Sequence, residues 1–171
     1  SYEIKAPLWI RADPTFRGLL MAMREPRDRV YLGQRPPIVP RVEQSPSKYI
    51  RSISFRREAD ARTRDTWFAG EVVFNCGLVA IVGNKGSGKS ALADAIGLLG
   101  KSKNSSSFSF LSTKRFCHPG QKLADQFSAV LRWESNEIVE SRLSGGIQQH
   151  EVERVKYLPQ EYVESICNEV G

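Results

Sequence analysis

Residues 83–90 read Gly-Asn-Lys-Gly-Ser-Gly-Lys-Ser, a complete G-x-x-x-x-G-K-S phosphate-binding loop. Its surroundings decide the fold. Upstream, Gly77-Leu78-Val79-Ala80-Ile81-Val82 is a short apolar, β-branched run suited to a buried strand. Downstream, Ala91-Leu92-Ala93-Asp94-Ala95-Ile96-Gly97-Leu98-Leu99 sets Leu92, Ile96 and Leu99 at helical spacing. Strand, glycine loop and helix in this order predict an α/β domain of the P-loop NTPase type.

The chemistry expected of such a loop is specific. Gly83, Gly86 and Gly88 permit positive φ and let backbone N–H groups approach phosphate oxygens closely. The helix directs its positive end at the same anion. Lys89 adds a mobile point charge for the β- and γ-phosphates, and Ser90 a hydroxyl for Mg²⁺. Gly83, Asn84, Lys85, Gly86, Ser87, Gly88, Lys89 and Ser90 are therefore the candidate ATP·Mg²⁺ site. A plain glycine-rich turn is the competing reading, and the flanking strand and helix weigh against it.

Composition bounds the rest. The chain has 171 residues, of which 40% are hydrophobic, enough for a real core. No apolar run approaches the ~20 residues of a membrane span, and Ser1–Ile10 lacks the layout of a secretion signal. Cys76, Cys117 and Cys167 are scattered and odd in number, which suits reduced thiols in a cytoplasmic protein. His118 and His150 cannot build a metal centre alone, and Cys117-His118 reads as an ordinary loop. The net charge is +6, with Arg51, Arg56, Arg57, Arg62 and Arg64 clustered. That cluster suits nucleic-acid phosphates or, equally, a solvated strand edge.

Residues 1–40 read as separate from the remainder. Leu8-Trp9-Ile10 is strand-like; Asp13-Pro14 reads as an N-cap followed by proline at the first helical position. Phe16, Leu19, Leu20 and Met23 give a helical stripe ending near Pro26; Val30–Gly33 reads as a strand and residues 34–40 as an extended proline-rich linker. From residue 48, Tyr49–Arg56 and Glu71–Phe74 are expected as strands, with Gly100 closing the helix after the loop. Lys101–Ser107 reads as a mobile loop. Gln126–Arg132 and Ile138–Leu143 read as a hairpin outside the nucleotide sheet, and Val155–Leu158 as a strand before a helix over 161–170.

Leu78–Leu99, followed after a β-rich insertion by Tyr157-Leu158-Pro159-Gln160-Glu161, resembles the N-terminal lobe of ABC-type ATPases, in their SMC, Rad50 and RecF-like branch. The resemblance covers residues 48–171. It implies an ABC/SMC-like P-loop lobe with an antiparallel β insertion, an incomplete domain in which Gln160 reaches Mg²⁺ and the γ-phosphate region and senses the nucleotide. It also implies partners: a C-terminal ATPase lobe, a head-to-head homodimer, and DNA or RNA. Trp9–Leu19 and Glu25–Val30 resemble the end of a PHP phosphoesterase domain, as found ahead of PHP-associated AAA-like ATPases. Leu143-Ser144-Gly145-Gly146-Ile147-Gln148 imitates the ABC signature, but it has one residue too many and precedes Gln160, so it reads as a turn.

Equally informative is what does not follow Gln160. No apolar run ending in Asp-Glu appears, so a Walker B aspartate and a catalytic glutamate are lacking from this sequence. Phosphoryl transfer needs a positioned nucleophile as well as charge stabilisation. The expectation is an ATP-binding half of a larger ATPase, inactive alone, that couples ATP to nucleic-acid processing in repair or in defence against foreign DNA. Two rivals stand beside it. A self-contained P-loop kinase or GTPase needs a lid arginine cluster or an Asn-Lys-x-Asp, and neither occurs. A non-enzymatic nucleic-acid-binding module would bind in a salt-sensitive way and ignore ATP.

Overall fold

The computed structural model describes residues 6–64, 70–148 and 150–159. The chain divides into two compact units, Ser1–Ser45 and Pro46–Gly171. Gln160, the helix expected over 161–170, Trp67 and Cys167 lie outside the described residues.

In the first unit, β1 (Leu8–Ile10) pairs antiparallel with β2 (Val30–Leu32). Between them run α1 (Phe16–Arg24) and the short α2 (Pro26–Arg29). The N-cap of α1 is Thr15 rather than Asp13: its hydroxyl accepts the Gly18 N–H at 3.1 Å, the N3 donor that a capping side chain reaches. The small face of α1, Gly18 and Ala22, is buried, while Phe16 and Met23 of the large apolar stripe are 76% and 68% exposed. Residues 38–40, expected within an extended linker, open the helix α3 (Ile38–Gln44). Pro36, Pro37 and Pro40 sit before or within its first turn, where a missing N–H costs nothing.

The second unit is built on one sheet. Strands β3 (Ile50–Arg57), β4 (Glu71–Val73), β5 (Phe127–Trp133) and β6 (Ile138–Arg142) lie in the order β4-β3-β5-β6, every neighbouring pair antiparallel. Alternation aims Ile53 and Phe55 of β3, and Phe127, Ala129, Leu131 and Trp133 of β5, into a common core. The helix α4 (Lys89–Leu99) supplies Leu92, Ala95, Leu98 and Leu99 to that core, and Phe108 and Leu143 close it. The 127–142 hairpin, expected outside the nucleotide sheet, joins β3 and β4 in an antiparallel sheet that does not include residues 77–82: β5 pairs with β3 along its length. Its turn, Glu134–Glu137, places Asn136 at φ 65°, a conformation asparagine tolerates.

Three further expectations are corrected. Residues 77–82 form no strand; Leu78 and Val82 are 92% and 87% exposed. A parallel strand needs neighbours on its edges, and no described segment provides one. Residues 155–158 likewise form no strand. Residues 101–107 are no open loop: Ser102 is fully buried, and Ser105–Ser107 form a 3-10 turn. Among the described residues no helix is long and apolar enough to cross a membrane.

Candidate functional site

The glycine loop joins the exposed 77–82 stretch to the N-terminus of α4. Ser87 N–H donates to the Asn84 carbonyl at 3.2 Å, closing a four-residue turn with Gly86, its third residue, at φ 86°. Positive φ at that position is what a type II turn requires. Gly88 follows at φ 90° as the N-cap of α4. Gly83 works differently from its two companions: its φ is not positive, but a Cβ there would stand 2.5 Å from Ser87 Oγ. Two glycines thus bend the loop, and the third lets it close.

The first helical bond runs from Leu92 N–H to the Gly88 carbonyl at 2.9 Å. The amides of Lys89, Ser90 and Ala91 therefore form the unpaired end of an eleven-residue helix, with no acidic side chain in its first turn. Lys89 folds back across the loop. Its ammonium donates to the Gly83 carbonyl at 2.7 Å and the Asn84 carbonyl at 2.9 Å, which leaves the third of its protons for an anion. Asn84, Lys85, Ser87 and Ser90 are exposed around it. Residues 83–90 thus form one exposed loop and the first turn of α4, while Gln160 lies outside the described residues.

Two features of α4 were not anticipated. Asp94, fully buried, accepts the N–H groups of Phe110 at 2.6 Å and Leu111 at 3.0 Å through Oδ2. It ties α4 to the chain beyond it, and the only signal in the sequence is a lone acid on the apolar helix. At the other end, Lys101 rather than Gly100 takes the left-handed conformation (φ 58°). Ser102 N–H reaches the Gly97 carbonyl and Lys101 N–H the Leu98 carbonyl, the pair of bonds that defines a Schellman cap. Gly100 is instead needed for space, since its Cβ would meet Val155 Cγ2 at 2.3 Å.

The remaining candidates carry less. Arg56 is engaged by Ser128 and by Glu140, and the Arg57 guanidinium by the Thr63 carbonyl, so the cluster is partly spent within the sheet. His118 Nδ1 accepts the Gly120 amide within its own loop at 3.2 Å. Burial pushes the Cys76 and Cys117 thiols up, with Glu134 adding for Cys76 and Asp125 and Asp94 for Cys117; neither is an activated nucleophile. Residues 143–148 turn away after β6, with Gly145 N–H on the Arg142 carbonyl at 2.9 Å. Among the described residues no group of three or more His, Cys, Asp or Glu gathers as a metal site.

No protein-family model, curated protein or solved structure matches the chain.

Proposed function

We propose that residues 83–90 hold the phosphates of ATP with Mg²⁺, and that the chain is the ATP-binding lobe of an SMC-like, ABC-type ATPase head. The observation that carries this reading is one arrangement. Gly86 and Gly88 at positive φ lead into a helix whose first amides are unpaired, with the Lys89 ammonium held on the Gly83 and Asn84 carbonyls of the same loop. Backbone donors, a helix N-terminus and a cation brought together in one short loop are what cradling a polyphosphate requires.

Mg²⁺ fits this donor set because it takes few protein ligands and completes its shell with phosphate oxygens and water. Ser90, exposed in the first turn of α4, is the residue assigned to it on this reading; Gln160 is the second candidate. When bound, the ion neutralises phosphate charge. The chain's own part is to position the triphosphate and exclude competing geometry. Hydrolysis, head pairing with a second copy and coupling to DNA or RNA belong to the full ATPase and need the C-terminal lobe with its Walker B acids.

Titration calorimetry with ATP·Mg²⁺ tests the reading. Lys89→Ala removes a charge-assisted contact and should weaken binding by on the order of 1.5–3 kcal/mol, roughly ten- to a hundredfold. Equal affinity in the two proteins would mean that the loop is not the site. Binding of nucleic acid that ignores ATP would favour the nucleic-acid module instead.

A further inference from the structure

The end of α4 far from the glycine loop is fastened to the chain that runs toward residue 160. Eleven residues at about 1.5 Å each separate the two ends by about 16 Å. The Gly100 carbonyl accepts the N–H groups of Arg154 at 2.8 Å and Val155 at 3.0 Å. The buried Ser102 hydroxyl donates to Glu153 Oε1 at 3.2 Å and accepts the Tyr157 amide at 3.1 Å and the Asn104 amide at 3.3 Å. Glu153 also takes the Lys103 amide at 2.9 Å, and Asn104 Nδ2 donates to the Tyr157 carbonyl at 2.7 Å. The Tyr157 ring meets Phe108 edge-on at 5.0 Å. On the other side, the Arg154 guanidinium lies 4.0 Å over the Trp133 ring and donates to Glu137.

Resting on the nucleotide reading above, we infer that residues 153–157 are a strap that is coupled energetically to the glycine loop through α4. Gly100, Ser102 and Glu153 are its positioning residues. The physical argument runs through the helix cap. The strap's bonds are made to the residues that form the Schellman turn, so releasing the strap loosens the last turn of α4. An anion at the other end stabilises the whole helix, because helix formation is cooperative along its length and the anion meets the aligned dipole. ATP and the attached strap therefore favour the same state, and each must favour the other by the same factor.

Amide hydrogen exchange of the 171-residue chain, with and without ATP·Mg²⁺, reads one half of this coupling. The amides of Arg154, Val155 and Tyr157 should slow by at least about fivefold, the low end of ordinary coupling between sites. Calorimetry reads the other half. Ser102→Ala strips an acceptor from two amides, and Gly100→Ala drives a methyl into Val155. Each should weaken ATP by a factor comparable to the exchange effect, although neither touches the loop. Unchanged exchange at Ile53 and Leu131 certifies the fold, and Glu153→Ala serves if Ser102→Ala does not fold. Protection of the loop amides with none at the strap overturns the inference and spares the nucleotide reading. Variants with wild-type affinity also overturn it. Absence of both protection and binding heat removes the nucleotide reading and the strap coupling together.

Discussion

A buried carboxylate needs its hydrogen bonds more than it contributes by its charge. Asp94 sits fully buried on α4 with Oδ2 shared by two backbone amides. Asp94→Ala leaves the Phe110 and Leu111 N–H groups without their acceptor and should cost on the order of 2–3 kcal/mol. Asp94→Asn keeps one acceptor oxygen and should cost less. Urea denaturation midpoints compare the three proteins, and an alanine variant within about 0.5 kcal/mol of wild type would show that the amides find other partners. Tyr157 responds to the same acid. Burial, and then the Asp94 carboxylate, push its phenol from 10.0 up to about 12. Because the fold holds this proton more tightly than the unfolded chain does, the stability it lends is complete below pH 10.0 and is lost as pH rises toward about 12. Phenolate absorbance should show one tyrosine titrating late, and earlier in Asp94→Asn. Late titration that does not move in that variant would assign the effect to burial alone.

At the scale of elements, space rather than propensity decides α4. A Cβ on Gly97 would lie 2.8 Å from Phe108 Cε1 and 3.4 Å from Tyr157 Cδ2. Gly97→Ala gains up to about 1 kcal/mol of helix propensity but overpacks a buried ring contact, which costs about 1–3 kcal/mol. The expected outcome is a lower thermal midpoint; a higher one would mean that Phe108 gives way freely. The same contrast explains what the sequence reveals and what it hides. Strand β3, the 134–137 turn and the helix after the glycine loop announce themselves through alternation, turn residues and 3.6-residue spacing. All are local signals, as are the glycines of residues 83–90. The role of Gly100 depends on Val155, the burial of Ser102 on Glu153 and Tyr157, and the place of the hairpin on its pairing with β3; none is local. The apolar run 77–82 reads as a strand because its side chains suit one. A strand, however, is completed by neighbours, and run composition says nothing about where they come from.

At the scale of the molecule, that run has a consequence for association. Leu78 and Val82 are almost fully exposed, and an open cavity of about 310 Å³ lies beside the stretch, walled by Ile50, Phe74, Val79, Ile81 and Ile96. Exposed apolar side chains beside an apolar cavity invite contact with another chain. On the proposed reading this stretch is where a complementary ATPase lobe would dock, and a second copy of the chain competes for it. The chain should therefore self-associate as concentration rises, despite a net charge of +6 that opposes it. Replacing Leu78 and Val82 together by lysine should restore the monomer and change folding stability by no more than about 0.5 kcal/mol per site, since neither side chain is buried. Sedimentation velocity across a concentration series decides the matter. The exposed α1 stripe is the rival sticky surface, so Phe16→Ser with Met23→Ser is the matched control. Association abolished by the stripe variants but not by the lysines would place the contact on the first unit. A wild-type chain that stays monomeric throughout would show that the 77–82 stretch makes no contact between copies.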